Sequence, residues 1–346
     1  MKKYILLVVI TFAGLSLFTT SCKQEGKKEN QQAVLQDTTP IGKQIAEVSR
    51  KIGENPHNPD LLHERAKLHM QRMDVANAMM DMEKVLGMDT TKADYFITLA
   101  DVHLAASKPG KSKAALEKCL SIDPKNKLAY EKLAELYFFV QQYKDALKNL
   151  DEVLKLEITN PKAYFMKGMC YRDMGDTTKA ISSFQTSIEQ KADYYEPYMQ
   201  LAMIYHARNN KLALQYYDGA LRVNPNSIDA LYGRGLWHQE NEHDYDKAIQ
   251  DYTSAVQISP KAKRAHFALG YIHYEYLKVY AQAVKHYDDA ISADSTWAEA
   301  YLNRGLAYEA MGNVAAANQD YDKALVLRPN YQNAKIASER INRPVK

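Results

Sequence analysis

A short glycine-lysine-serine segment is the first candidate for chemistry in this chain. Residues 110–112 follow Ala105 at the spacing of a relaxed phosphate-binding loop, in which backbone N–H groups and a lysine hold phosphate oxygens. Such a loop requires a β-strand before it and a helix after it. Here the apolar period over about residues 95–106 predicts a helix before the segment, and Pro109-Gly110 is typical of a turn. The sequence therefore disfavours nucleotide binding.

The ten histidines could indicate a metal site, but their spacing does not. The chain has no H-E-x-x-H segment, and no histidine–cysteine spacing matches a zinc site. It also has no G-x-S-x-G segment and no clustered nucleophile and base. The sequence therefore predicts a non-enzymatic protein without metal or cofactor. Four histidines stand where other copies of a longer sequence period carry tyrosine, so we expect packing residues with one hydrogen bond each: His69, His103, His238 and His273.

That longer period organises most of the chain. From residue 59 to residue 331 one pattern returns every 33 to 35 residues, eight times, in copies that begin at 59, 93, 127, 161, 195, 228, 263 and 298. Positions 4, 7, 8 and 11 of a copy share one face of a first helix, and positions 20, 24 and 27 share one face of a second. Small residues at positions 8, 20 and 27 let helices approach closely. The last copy shows the pattern best, with Tyr301, Gly305, Tyr308, Ala317, Tyr321, Ala324 and Pro329.

The pattern resembles the tetratricopeptide repeat, a helix–turn–helix unit of about 34 residues. The resemblance implies an all-α fold, a right-handed α-solenoid of about eight such repeats over residues 59–331. Terminal units of a solenoid need caps with a polar outer face. We expect an N-terminal capping helix within residues 41–58, and a C-terminal capping helix and tail over residues 332–346. Solenoids of this kind usually bind other chains rather than catalyse reactions.

The N-terminus predicts export and anchoring. Residues 1–21 have a basic start, an apolar run too short to span a membrane, and small residues before Cys22. This segment resembles a bacterial lipoprotein signal peptide, which implies that Cys22 becomes the lipidated first residue of the mature protein. The alternative is an ordinary cleaved signal with a bystander cysteine. Residues 22–40 read as a polar, flexible tether. By the same resemblance, Lys23 favours the outer membrane, so we expect lipid anchoring in the cell envelope.

Charge and the other cysteines exclude further classes of protein. The formal net charge of +3 gives no electrostatic reason to expect a nucleic-acid partner or an anionic membrane surface as partner. Cys119 and Cys170 lie two units apart. Because a solenoid unit contacts only its neighbours, we expect both to be buried, unpaired thiols.

The resemblance also implies where a ligand binds, because related proteins usually hold ligands in the groove lined by the first helices, at positions 2, 5, 9, 12 and 13. In the last five copies positions 5 and 9 are apolar, whereas the early copies carry an acidic stretch made of Asp101, Glu131 and Glu135. Exposed apolar patches of this kind tend to be binding sites, although the same side chains could pack against the next helix. The candidate apolar residues are Phe165, Met169, Met199, Met203, Tyr232, Leu236, Phe267, Tyr271, Tyr274 and Leu302.

The sequence therefore predicts an envelope-anchored scaffold that binds a partner protein or peptide in its concave groove, with no small-molecule substrate. The basic residues with which chaperone-binding relatives clamp a C-terminal carboxylate are absent at positions 5 and 9, which disfavours that class of partner. The alternative is a glycan-binding outer-membrane lipoprotein of the starch-utilisation type. Such proteins are longer and carry their sugar site on large insertions, which this sequence lacks.

Overall fold

The computed structural model describes residues 39–342, which form eighteen α-helices and no β-strand within that range. The predicted signal peptide, Cys22, most of the predicted tether and the last four residues lie outside the described part. The helices are α1 Pro40–Glu54, α2 Pro59–Gln71, α3 Val75–Met88, α4 Ala93–Ala105, α5 Pro109–Ile122, α6 Lys127–Phe139, α7 Tyr143–Leu156, α8 Pro161–Asp173, α9 Thr177–Gln190, α10 Tyr195–Ala207, α11 Leu212–Val223, α12 Ile228–Trp237, α13 Tyr245–Ile258, α14 Lys263–Glu275, α15 Tyr280–Ala293, α16 Ala298–Ala310, α17 Val314–Leu327 and α18 Gln332–Ile341.

Side-chain caps set where many of the helices begin. The Asn126 and Asn160 side chains accept hydrogen bonds from the Ala129 and Ala163 N–H groups, at 3.0 and 2.9 Å, before α6 and α8. Such caps satisfy N–H groups that have no partner inside the helix. A proline in the first turn, where no N–H is needed, begins α1, α2, α5 and α8. Pro109 is one of these, so the prediction that Pro109-Gly110 forms the turn itself was wrong.

Eight helix pairs, from α2/α3 to α16/α17, correspond to the eight copies of the sequence pattern. Among helices two steps apart, α2 contacts α4, α10 contacts α12 and α14 contacts α16. The first helices therefore lie on the inner, concave side. At the ends, α1 buries Val48 against α2, and α18 buries Ala334 and Ala337 against α17. The all-helical solenoid and its two capping helices are confirmed.

Each unit turns between its two helices through one residue in the left-handed backbone conformation, with φ between 50° and 85°. Only glycine adopts this conformation without steric strain. Two units place glycine there and six do not, because the packed helices on both sides fix the turn. These residues are Met73, Ser107, Gln141, Gly175, Asn209, His243, Lys278 and Gly312.

The units that are one residue longer or shorter than the others accommodate this difference near the turn. In the unit that begins at residue 228, the extra residue forms a π-helical turn, His238–Glu242, before the left-handed His243. π-Helical turns commonly accommodate one inserted residue. In the short unit that begins at 195, the second helix α11 starts late, at Leu212. The apolar faces of neighbouring helices therefore stay in register.

Candidate protein-interaction groove

The concave surface formed by the first helices, called the groove here, contains a cavity that we name the central cavity. It has a volume of about 410 Å³ and lies between α8, α10 and α12. Five of the predicted residues line it together: Phe165, Met199, Met203, Tyr232 and Leu236. Each comes from position 5 or 9 of its unit, so the shared helical spacing brings them to one surface. The Met203 side chain is 46% exposed, which makes it accessible to a ligand.

Charged side chains form the rim of the central cavity. The Arg264 guanidinium donates a hydrogen bond to Asp229 Oδ1 at 2.7 Å and lies 4.9 Å from the centre of the Tyr232 ring. Glu196 on α10 also lines the cavity and is exposed. Burial raises the pKa of the Tyr232 hydroxyl, so this group stays neutral and can donate a hydrogen bond. The rim can therefore offer both signs of charge around an apolar floor.

The predicted residues of the C-terminal units serve packing first. The Phe267 ring lies 4.7 Å from the Trp297 ring and 5.5 Å from the Tyr287 ring, measured between centres. Leu302 is only 5% exposed. The other members are half-buried, and of these Met169 packs on the cluster around Phe184, Tyr271 meets Tyr276 edge-on, and Tyr274 lies beside Tyr280.

The acidic stretch is paired within the chain. Lys132 Nζ donates to Asp101 at 2.7 Å, and Lys162 Nζ donates to Glu135 at 2.6 Å. The third carboxylate, Glu131, accepts a hydrogen bond of 3.1 Å from Asn160 Nδ2. These partners lower the net charge of the stretch. Its role in binding basic groups of a partner stays a prediction.

A second cavity, named the N-terminal cavity here, lies at the acidic stretch. It has a volume of about 640 Å³ between α4, α5 and α6. Leu104, Leu116, Leu136 and Phe139 line it, and Phe139 is 76% exposed. The early groove therefore combines the predicted acidic residues Asp101 and Glu135, which also line this cavity, with exposed apolar side chains. Leu104 and Phe139 occupy groove positions 12 and 13 of their units, so the repeat spacing itself places them on this surface.

The glycine-lysine-serine segment and the two cysteines lie in surroundings that do not favour chemistry. Helix α4 precedes the glycine-lysine-serine segment, so the strand required by a phosphate loop is replaced by a helix. Cys119 and Cys170 are buried, unpaired thiols, and burial raises the pKa of each to about 11. They are consequently poor nucleophiles near neutral pH.

The four histidines at position 11 differ in their partners. His238 Nδ1 lies 2.7 Å from Glu242 Oε2, and His273 Nδ1 lies 2.8 Å from the Leu269 carbonyl oxygen. His69 lies 3.3 Å from Asp74. The buried Nδ1 atoms of His69 and His103 have no hydrogen-bond partner, contrary to the expectation of one bond for each of the four.

Comparison with known proteins agrees with this geometry. Family models described as tetratricopeptide repeat or TPR repeat match residues 93–126, 161–194, 243–275 and 298–331. The chain therefore contains tetratricopeptide repeats, as the sequence period predicted. Proteins built from these repeats are generally protein-interaction scaffolds and are typically not enzymes. None of the helices between residues 39 and 342 has the combined length and apolar character needed to cross a membrane.

Individual relatives match only in part. The chain is 24% identical over 128 residues to tetratricopeptide repeat protein 13 of Homo sapiens, and 35% identical over 74 residues to anaphase-promoting complex subunit 3 of Dictyostelium discoideum. These matches cover 37% and 21% of this chain but only 15% and 8% of those proteins. A crystal structure of the C-terminal part of a TPR repeat-containing protein from Cytophaga hutchinsonii is similar with a TM-score of 0.58 and 16% identity. It covers 69% of this chain and 98% of that one, which shows the shared fold.

Proposed function

We propose that this protein is an envelope-anchored scaffold that binds a segment of a partner protein in its groove. The observation that carries the proposal is the central cavity, where apolar side chains from three successive first helices converge on one surface. Two methionines and two aromatic rings make this surface both adaptable and large in contact area. Because buried aromatic and aliphatic anchors commonly carry most of the binding energy of an interface, this floor is the expected centre of binding.

The two cavities together suggest the form of the partner segment. The N-terminal cavity belongs to the units that begin at 93 and 127, and the central cavity begins in the next unit along the groove. A segment that lies along the groove could therefore place one apolar anchor in each. The rims carry ion pairs of both signs, such as Arg264 with Asp229 and Lys132 with Asp101. Such rims favour orientation and specificity over affinity, so a mixed-charge segment with two apolar anchors fits best.

Placing a charge in the central cavity should abolish most of the binding. The variant Met203→Glu should weaken partner binding by about 30-fold or more, because loss of a hot-spot anchor commonly removes about 2 kcal/mol. The fold should survive, since Met203 is 46% exposed. The matched control is Val326→Glu, a change on the second helix α17 at a side chain that is 73% exposed. Replacing Phe267 would be a weaker test, because this ring also packs on Trp297 and Tyr287.

The partner can be identified with the full chain in its native membrane. A photoreactive benzophenone side chain at position 203 should cross-link a partner that mass spectrometry then identifies, and the same group at position 326 should not. Dissociation constants of the identified partner for Met203→Glu and Val326→Glu would follow. Equal cross-linking at both positions, or equal affinity of both variants, would place binding on another surface.

Lipid attachment is proposed at Cys22, which lies outside the described residues. The change Cys22→Ala should move the protein from the membrane fraction to the soluble fraction after a salt wash, because the acyl chains supply the membrane affinity. Cys119→Ala, at a buried thiol, is the matched control and should leave fractionation and incorporation of labelled fatty acid unchanged. Separation of inner and outer membranes on a density gradient tests the proposed outer-membrane location. Membrane retention of the Cys22→Ala variant would exclude the lipid anchor.

A further inference from the structure

Two histidines and an aspartate meet inside the unit that begins at residue 263. His266 lies on α14, and His286 and Asp289 lie on α15, which runs back along it. One donor atom of each residue lies within 4.8 Å of the donor atoms of the other two. His266 is 7% exposed. His286 and Asp289 lie three residues apart on α15, but His266 comes from α14, so the sequence spacing does not predict the cluster.

The hydrogen bonding of His266 leaves its other ring nitrogen facing the cluster. Its Nε2 lies 3.1 Å from the Pro260 carbonyl oxygen, so this nitrogen carries the proton and donates. The other nitrogen, Nδ1, lies 3.6 Å from Asp289 Oδ2 and is buried without a hydrogen-bond partner. Metal-binding histidines commonly donate their second ring N–H to a backbone carbonyl in this way. A lone pair that faces a carboxylate oxygen is repelled unless a cation lies between them.

His286 adds a second nitrogen of the same kind. Its Nδ1 is also buried and has no hydrogen-bond partner. The centre of its ring lies 6.1 Å from that of His266 and 5.1 Å from that of His273. His266 and His286 each have a buried ring nitrogen without a hydrogen-bond partner, and both residues belong to the group whose donor atoms lie within 4.8 Å of one another. A ligand bound within this group would satisfy buried polar atoms that otherwise lack partners. That ligand must accept electron pairs from nitrogen and carboxylate oxygen together.

The spacing fits a small divalent metal ion after a slight closure. Tetrahedral zinc with ligand distances of about 2.0–2.1 Å holds its ligand atoms about 3.3 Å apart. The separation of 3.6 Å between His266 and Asp289 is already close to this value. Side-chain rotations could bring the remaining donors, now within 4.8 Å, to the same distance. A set of imidazole and carboxylate ligands suits zinc and its neighbours in the first transition row rather than calcium or magnesium.

We propose that His266, His286 and Asp289 bind one divalent transition-metal ion of the zinc class and so join α14 to α15. The three ligands leave one coordination position open, with the His273 ring beside the site. The ion would fix the hairpin whose first helix contributes Arg264 to the rim of the central cavity. The site would therefore stabilise the C-terminal half of the solenoid without being a catalytic centre.

Cobalt(II) is the probe for this site, used on the full chain without a histidine tag and after removal of metals by a chelator. One equivalent of Co²⁺ should produce the intense visible absorption of a tetrahedral site, and one equivalent of Zn²⁺ should remove it. His286→Ala and Asp289→Asn should each weaken Co²⁺ binding by more than about tenfold, because even residues outside the ligand shell cost 10–100-fold when changed. His243→Ala, at an exposed histidine outside the cluster, should bind Co²⁺ like the unaltered chain.

Thermal unfolding gives an independent measurement. Zn²⁺ should raise the unfolding temperature of the unaltered chain and of His243→Ala, but not that of Asp289→Asn, because a ligand stabilises only the state that binds it. Asp289→Asn keeps the shape of the side chain, so its folding is expected to be preserved and can be verified by circular dichroism. Absence of the Co²⁺ absorption, or equal affinity in Asp289→Asn and the unaltered chain, would overturn the proposal.

Discussion

Replacing Arg304 with methionine is expected to lower the local free energy of unfolding of α16 and α17 by about 3–5 kcal/mol, because it leaves a buried carboxylate without its partner. The Arg304 guanidinium donates two hydrogen bonds to Asp320, from Nε at 2.8 Å and from Nη2 at 2.6 Å. The Asp320 side chain is only 6% exposed. A third bond, from Nη1 to Asp288 at 2.6 Å, joins the preceding unit.

The loss of stability in Arg304→Met should be larger at neutral pH than in acid. Burial raises the pKa of Asp320, and the hydrogen bonds from Arg304 oppose that rise. Without Arg304 the pKa in the folded state should rise further above its value in the unfolded chain. A carboxyl whose folded pKa is raised destabilises the fold as pH increases through that pKa. The loss in free energy of unfolding caused by Arg304→Met should therefore be largest at neutral pH and smaller in acid, where Asp320 is protonated.

A matched surface pair provides the control for this prediction. Arg264 and Asp229 also lie 2.7 Å apart, but their side chains are 58% and 69% exposed. Arg264→Met should therefore lower the free energy of unfolding by at most about 1 kcal/mol. Hydrogen exchange of backbone amides in α14 to α17 would measure both variants. Equal losses in the two variants, or a loss at Arg304 that does not change with pH, would contradict the buried-charge explanation.

Replacing Phe184 with alanine is expected to lower the free energy of unfolding by about 3–5 kcal/mol, because it removes a fully buried ring. This ring fills the space left by Gly168 on the first helix of its unit. A Cβ atom at Gly168 would lie 2.5 Å from Phe184 Cε1, a distance that packed atoms do not adopt. Gly168→Ala should therefore also destabilise the fold, by about 1–3 kcal/mol.

The preceding unit shows how the same position is filled in another way. There Ala134 and Leu150 stand where Gly168 and Phe184 stand one unit later, and both are fully buried. The double variant Gly168→Ala/Phe184→Leu copies that pair. It should be more stable than Gly168→Ala alone, because the smaller side chain makes room for the new methyl group and alanine favours the helix. Urea unfolding of the two single variants and the double variant measures this coupling, and additive losses would show that the two positions act independently.

The pairing of small and large residues recurs along the array. Glycine at position 8 faces an aromatic ring in the units that begin at 161, 228, 263 and 298, with an added Cβ within 2.5–2.8 Å of the ring. The three N-terminal units combine alanine with an aliphatic side chain instead. The fit is made within each unit, so a substitution at one unit should be compensated only in that unit. The pairs are Gly168 with Phe184, Gly235 with Tyr252, Gly270 with Tyr287, and Gly305 with Tyr321.

The sequence by itself determined the fold of this protein. Its 33–35-residue period specified paired helices, the apolar positions specified their buried faces, and the small residues specified where helices touch. These features depend on side-chain spacing along a helix, which is fixed by 3.6 residues per turn. The five residues of the central cavity were found in the same way, because positions 5 and 9 repeat from unit to unit.

Only the tertiary structure decided which turn residues adopt the left-handed conformation and which charged side chains of neighbouring units pair. Met73 and Lys278 adopt the left-handed conformation without any residue preference for it, because the packed helices impose the turn. Lys132 and Lys162 pair with Asp101 and Glu135 from neighbouring units.

His266 meets Asp289 across two helices, and Leu104 and Phe139 meet around the N-terminal cavity. Such juxtapositions depend on distances between side chains of different helices. Those distances are set by the angle and offset at which whole helices pack. The spacing of residues within one helix does not determine them.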